Sequence, residues 1–373
     1  MGLVWLAFPG LIIWCGILLL PWRPWSTRET LEAAPGSGQD LSHVTVLIPA
    51  RNEQDVIANT LHAVAAQGKN HRIVLIDDQC GDRTRHIAEN LGIENLTVIN
   101  GEPLPPGWSG KLWALEQGRA QVQSDVILLL DADIELKPGV MSALLAKMTN
   151  EKLHLVSLMA SLRIQSPWEM LLMPAFIYFF KLLYPFRISN STSNITAAAA
   201  GGCILIDQQI LDDLGGFAAL KSELIDDCAL ARRVKNRGGR TWIGLTHSVI
   251  SRRRYDTLRS IWEMVSRTAF TQLRYSTSLL LLCTLLLIAA FCLPVIALFS
   301  QEPVTVGVSI LDILLMVGSY LPTLKYYGMS GFWGFTLPIT AMLYLLMTWS
   351  SAINRWYGTG AFWKDRTYTG QTG

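Results

Sequence analysis

The sequence predicts an α/β protein built on a mainly parallel sheet covered by helices, with apolar segments at both ends. Three observations predict it. Short Val- and Ile-rich runs alternate with helical patterns from residue 44 to about residue 249, and strand–helix–strand alternation implies parallel strands. One apolar run precedes this region and three come after it. Charged residues make up only 16 % of the 373 residues, and the mean hydropathy is +0.31, which is apolar for a soluble protein. The formal net charge of +2 gives no footprint for a nucleic-acid partner.

The first element is the apolar run 2–21, about 20 residues and long enough to span a bilayer. It lacks a basic start, and Arg23 and Arg28 lie just beyond it. A retained anchor over 1–22, with its C-terminal flank in the cytoplasm, is therefore expected rather than a cleaved leader. Residues 32–39, rich in Gly, Ala and Ser, read as a linker. At the other end, 279–299, 304–321 and 335–349 are candidate spans within a region 278–350, ahead of a tail 351–373. The loop 300–303 carries no Lys or Arg and reads as outside, and the next, with Lys325, reads as inside. The middle region, 43–250, is thereby placed on the cytoplasmic side of a bacterial-type inner membrane, in a multi-pass protein. The tail cations Arg355, Lys364 and Arg366 oppose that rule if all four segments span. The six cysteines form no CxxC or zinc spacing and read as structural thiols in a reducing compartment.

Within the middle region, strands are expected at 44–49, 72–76, 96–99 and 126–130, with helices at 53–67, 83–91 and 111–122. Parallel sheets of this kind bind ligands at the carboxyl ends of their strands, so the residues just past each strand are the functional inventory. After the first comes Pro49-Ala-Arg51-Asn-Glu53. After the second comes Asp77-Asp78-Gln-Cys-Gly-Asp82. The alternative for Asp77 and Asp78 is turn and cap chemistry before the next helix. After the fourth comes Asp131-Ala-Asp133. Two carboxylates spaced i, i+2 that point the same way repel each other unless a cation lies between them. A divalent metal held by few carboxylates completes its shell with phosphate oxygens. The alternative is a helix N-cap. Lys111 comes directly after the turn Gly107-Trp-Ser-Gly110, where a helix dipole disfavours a cation. That suggests phosphate contact, against a solvated surface Lys. Further on, Asp226 and Asp227 open a helical pattern ending at Asn236, as a carboxylate pair or as plain caps.

The stretches Ile48-Pro-Ala-Arg-Asn-Glu53, Ile76-Asp-Asp-Gln-Cys-Gly-Asp-Arg-Thr84, Gly107-Trp-Ser-Gly-Lys-Leu-Trp-Ala114 and Asp131-Ala-Asp133 resemble those of family 2 glycosyltransferases of GT-A fold. The chain is most similar to the hopene-associated enzymes of hopanoid biosynthesis, and it also resembles the ceramide and carotenoid glycosyltransferase groups. The resemblance implies a Rossmann-like, nucleotide-diphospho-sugar transferase domain. It places Pro49, Arg51 and Glu53 on the nucleotide pocket. Asp78, with Asp77 beside it, would contact base or ribose, and Lys111 would reach nucleotide or phosphate. Asp131 and Asp133 would hold Mg²⁺ or Mn²⁺ against the diphosphate. Asp227 matches the catalytic base, and Asp226 stands where the family has Glu. Gly202, in Gly201-Gly202-Cys203, lies in the segment that the family places near the acceptor. The family's Gln/Arg-x-x-Arg-Trp motif is eroded here to Thr271-Gln-Leu-Arg274-Tyr275. Arg274 keeps a position suited to pairing with diphosphate. The erosion and the few spans favour a single transfer over polymer synthesis.

The expected reaction is an inverting, metal-dependent transfer of one sugar from a nucleotide diphosphate sugar to a membrane lipid. A hopanoid or related terpenoid lipid fits as acceptor, and a polyprenyl phosphate is the alternative. A non-catalytic nucleotide-binding membrane scaffold is the alternative outside enzymes. The aromatic segment 168–186, broken by Pro174 and Lys181, is expected to lie in the membrane interface with Lys181 snorkelling; the alternative is a buried core helix. The motif 363–368 in the tail is assigned no role.

Overall fold

The computed structural model describes residues 4–34, 39–221, 223–358, 361–363 and 366–368. They divide into two compact units. One unit is Glu29–Arg163 with Phe186–Arg254. Its strands are β1 (Val44–Ala50), β2 (Arg72–Asp77), β3 (Leu96–Asn100), β4 (Val126–Leu130), β5 (Ile134–Leu136), β6 (Leu155–Ser161), β7 (Cys203–Asp207) and β8 (Thr241–Ser251). They form one sheet in the order β3-β2-β1-β4-β7-β6-β8-β5. The β3-β2-β1-β4 half is parallel throughout. β7 runs antiparallel to both β4 and β6, and β5 runs antiparallel to β8.

Alternation along the strands explains the near-continuous apolar runs. Val46 and Ile48 of β1, with Leu128 and Leu130 of β4, enter one core cluster. Leu47, Ile127 and Leu129 enter a second. Successive residues of a strand face opposite sides, so both faces of the sheet are covered and neither can be polar. Each such side chain contributes about 2 kcal/mol on burial.

The segment read as a linker is partly tied down. Leu31 N donates to Leu245 O, Ala33 N donates to Ser248 Oγ, and the Glu32 carboxylate accepts from His247 N and Ser248 Oγ. Ala34 N donates to Gly139 O. Gly139 has φ +90°, and a Cβ there would lie 2.0 Å from Ala34 O, so glycine is required on both counts. Residues 35–38 of that expected linker lie outside the described residues.

The other unit is helical and is drawn from residues up to Arg28, Ile164–Pro185 and residues from Tyr255 on. Among the described residues, three of its helices are long and apolar enough to cross a membrane: Thr277–Ala297, Pro303–Tyr326 and Gly331–Trp356. Leu285, Leu314, Ile339 and Leu346 stand exposed on them, an apolar surface that water would disfavour and acyl chains would not. The N-terminal helix Val4–Leu19 has 16 residues and rises about 24 Å at 1.5 Å per residue, less than a hydrocarbon core of about 30 Å.

Helix Pro167–Leu183 opens on a capping box of Ser166 and Glu169. Tyr178 OH lies 2.7 Å from Ser319 Oγ, and Tyr344 OH donates to Leu172 O. Lys181, expected to snorkel, is instead 1 % exposed. Tyr178 and Phe179 of this helix pack against Tyr320, Phe291 and Tyr344 of the same unit. On Pro303–Tyr326 the polar residues Thr305, Ser309, Asp312, Ser319 and Thr323 are all buried. Their spacing of three, four and seven puts them on one face, and a Cβ on Gly10 would lie 2.8 Å from Asp312 Oδ2. Of the tail motif 363–368, residues 364–365 lie outside the described residues, and Ala361–Trp363 pairs antiparallel with Arg366–Tyr368.

Candidate functional site

The carboxyl ends of β1 and β2 are stitched together by their loops. Arg51 Nη1 donates to Asp78 O at 2.7 Å, and Asp78 N donates to Ala50 O at 2.9 Å. Glu53 N donates to Thr84 Oγ1, and Gly81 N donates to Asn52 Oδ1. Asn52 takes φ +52° to make this turn, a conformation that Asn tolerates better than most residues. Pro49, near the end of β1, is in register with Ile76 of β2. Asp77 and Asp78 are both buried. The Asp77 carboxylate accepts from Cys80 N at 2.9 Å, which is turn chemistry. Asp82 is a second loop acid: it accepts from Thr84 N and from Gln54 N. Burial opposes its charge, but these bonds outweigh it and hold the carboxyl below its ordinary value. Burial pushes the Cys80 thiol up to about 12, so it stays neutral.

Lys111 sits in the first turn after the N-cap Ser109, whose hydroxyl accepts from Leu112 N. Its ammonium lies 2.6 Å from Asp131 Oδ1 and donates to Gly201 O at 3.2 Å. Burial opposes that charge, but Asp131, Asp226 and Asp227 outweigh it and hold the amine above its ordinary value.

The turn after β4 is fixed by its backbone. Asp131 N donates to Gly202 O, Arg252 N donates to Asp133 O, and Thr60 Oγ1 donates to Ala132 O. Asp133 is 9 % exposed. Burial, then the charges of Asp131 and Glu53, push its carboxyl up to about 6 against the pull of Arg253.

Asp226 and Asp227 open the helix Asp226–Asn236, but neither is its N-cap residue. The N-cap is Ile225, with no side-chain bond. Asp227 Oδ2 instead accepts from Gly201 N at 2.8 Å, and its Oδ1 accepts from Cys228 N at 2.7 Å. Burial, then Asp226, push Asp227 up to about 6, against Cys228 N, Lys111 and Gly201 N. A cavity opens against Lys111, Gly201, Asp226 and Asp227.

Gly201 is thus a hub: its N–H holds Asp227 and its carbonyl holds Lys111. A Cβ there would stand 3.2 Å from both Asp227 Oδ2 and Lys111 Nζ. The glycine pair is visible in the sequence, but this role is carried by backbone atoms and leaves no side-chain signal.

A second residue escapes sequence reasoning altogether. Lys235, on the same helix as Asp227, is 5 % exposed and donates to the carbonyls of Ile188, Ser193 and Thr196. It anchors the chain that leads into Gly201. Lys235→Met is expected to cost about 3 kcal/mol, the scale of buried carbonyls losing a charged donor. The check is the unfolding midpoint of the purified protein, and an unchanged midpoint would refute the anchor.

The structure brings Lys111, Asp131, Gly201 and Asp227 together and sets Asp133 and Asp226 beside them. Arg274 belongs to the helical unit. It is exposed, with φ +53°, and its N–H donates to Thr271 O. Among the described residues no group of three or more His, Cys, Asp or Glu is arranged to hold a metal ion. Asp131 and Asp133 alone offer hard oxygen donors at close charge repulsion. That donor set fits Mg²⁺ or Mn²⁺ only with further oxygens brought by a ligand.

Residues 45–215 match the family described as Glycosyl transferase family 2. A 4,4'-diaponeurosporenoate glycosyltransferase of Staphylococcus haemolyticus is 33 % identical over 26 % of this chain and 26 % of its own length. An undecaprenyl-phosphate 4-deoxy-4-formamido-L-arabinose transferase of Shewanella sediminis is 32 % identical over 29 % of this chain and 34 % of its own. The chain thus spans about a quarter to a third of the length of these relatives. A mannosyltransferase from Pyrobaculum calidifontis, solved in complex with GDP-Man and Mn²⁺, superposes with a TM-score of 0.57. It is 17 % identical and covers 95 % of this chain and 98 % of its own. The fold shared with it is GT-A.

Proposed function

We propose, for a chain whose residues 45–215 match glycosyltransferase family 2, that it moves one sugar from a nucleotide diphosphate sugar to a membrane lipid hydroxyl, with inversion and with a divalent metal. One observation carries the reading: Asp227, half-buried at the start of its helix, reaches across to Gly201 and stands beside Lys111 and Asp131.

In the proposed step the lipid oxygen attacks the anomeric carbon as the bond from that carbon to the diphosphate oxygen breaks. Asp227 takes the hydroxyl proton. Its two backbone donors fix the carboxylate so that the attacking oxygen meets a positioned base. Direct displacement needs no carboxylate nucleophile, unlike a retaining glycosidase. Asp131 and Asp133 would hold the metal, which supplies positive charge for the departing diphosphate when bound. Arg51, Glu53 and Pro49 are assigned to the nucleotide pocket, and Asp78, beside Asp77, to base or ribose. Gly202 and Asp226 are assigned to the acceptor side. Arg274 is assigned to diphosphate.

The acceptor is inferred from the company the domain keeps. Three helices able to cross a membrane occur in the same chain, and the two relatives are named for a diaponeurosporenoate and an undecaprenyl phosphate. A lipid in the bilayer of a bacterial inner membrane, approached from the cytoplasmic side, is the proposed acceptor. A hopanoid or related terpenoid is its class. The second reading, a polyprenyl phosphate acceptor, is favoured by the Shewanella relative's name.

The test is to incubate membranes carrying the protein with a panel of labelled nucleotide sugars and identify any labelled lipid by mass spectrometry. No labelled lipid with any donor would sink the proposal. A pH profile gives a second check. Asp227, pushed up to about 6, must be ionised to act as base. kcat/KM should fall as pH drops through about 6 and level off above it. A flat profile from pH 5 to 8 would count against Asp227 as base, a window set by that raised value.

A further inference from the structure

The charges of Asp131, Asp226 and Asp227 all act on the ammonium of Lys111, and Asp133 adds a fourth carboxylate beside Asp131. The ammonium does not stand free to receive a phosphate. It lies 2.6 Å from Asp131 Oδ1, and its second bond is to Gly201 O, the residue that also holds Asp227. The Asp131 oxygen that accepts this ammonium is one that a divalent metal would need. Two cations sharing one carboxylate oxygen repel strongly in a half-buried site. Lys111 extends from the first turn of the helix Gly110–Arg119, where the dipole favours an anion, so a diphosphate is a better partner for that end than Asp131 alone.

We propose, resting on the function proposed above, that Lys111 competes with the divalent metal for Asp131, so that metal and nucleotide diphosphate load together and neither loads well alone. In the donor-free protein the ammonium occupies the carboxylate. An arriving diphosphate offers the ammonium a second anion and frees Asp131 for the metal. When the nucleotide product leaves, the ammonium returns to Asp131 and helps discharge the metal. Lys111 is here a positioning residue that sets binding order.

The experiment measures Mn²⁺ binding by electron paramagnetic resonance to the full chain in detergent micelles, without nucleotide, with UDP and with GDP. In the wild type one of the two nucleotides should tighten Mn²⁺ binding at least about tenfold. Lys111→Met should tighten binding of Mn²⁺ alone by about tenfold, the scale of one charge-assisted bond released. The same variant should lose most of the nucleotide's enhancement. Lys111→Gln, which keeps a hydrogen-bond donor without the charge, should behave like Lys111→Met, and Lys111→Arg like wild type. Mn²⁺ affinity that is unchanged or weaker in both neutral variants, with unfolding midpoints like wild type, overturns the competition. Placing Asp133→Ala in the Lys111→Met background separates the two failures. If Mn²⁺ affinity does not drop there, the metal is not at this turn, and the site reading falls together with the inference.

Discussion

Asp227→Asn is expected to lower turnover by about a thousandfold with a hydroxyl-bearing lipid acceptor, within the range for loss of a general base. Donor binding should be nearly unchanged. The asparagine amide oxygen can still accept from Gly201 N or Cys228 N, the two bonds that hold the carboxylate now, so the loop carrying Gly201 keeps its place. What is lost is the ability to take a proton. The substitution therefore separates chemistry from architecture, and it also separates the two acceptor readings. A phosphate acceptor arrives ionised and needs little help, so with a polyprenyl phosphate the loss should stay below about tenfold. The measurement is single-turnover transfer to labelled lipid, with donor affinity read separately by calorimetry. Full activity on every acceptor would remove Asp227 from the mechanism.

How far the sequence speaks depends on whether the information is local. β4 lies where its apolar run predicts, and β1, β2 and β3 each extend one residue beyond theirs; β1, β2 and β4 are buried along almost their whole length, and strands buried on both faces read as continuous apolar runs. Helix starts are less legible. The pattern from residue 53 becomes a helix only at Ile57, since residues 51–56 are spent on the turn that binds Thr84 and Cys80. The antiparallel insertion of β7 between β4 and β6 is not legible, because pairing partners are chosen by long-range packing and not by the strand's own residues. At the site, spacing alone does not say whether Asp226 and Asp227 cap a helix. That answer lies in the bond between Asp227 and Gly201, residues far apart in sequence. Lys235 escapes notice because a lysine on an amphipathic helix looks solvated. Lys111 stands out for defying the helix dipole, but the carboxylate that holds it is 20 residues downstream on another element.

Asp133→Ala is the substitution expected to remove metal use altogether. Asp133 is buried beside Asp131, and burial together with the crowding of two carboxylates has pushed it up to about 6. A protein has no structural reason to keep such a group, since burying a charge without a partner costs stability. Arg253 pulls the other way, and the turn itself is held by backbone bonds from Arg252 N and by Thr60 Oγ1, which alanine leaves intact. The variant should therefore fold as well as wild type, with an unfolding midpoint in chelating buffer that is equal or higher. Turnover should drop by about two to three orders of magnitude, the scale of losing preorganised charge at a leaving group. Mn²⁺ should no longer tighten nucleotide binding. A protein that is steadier without Asp133 yet inactive would mark that carboxylate as kept for function. A variant that is both less stable and fully active would mean Asp133 only shapes the turn.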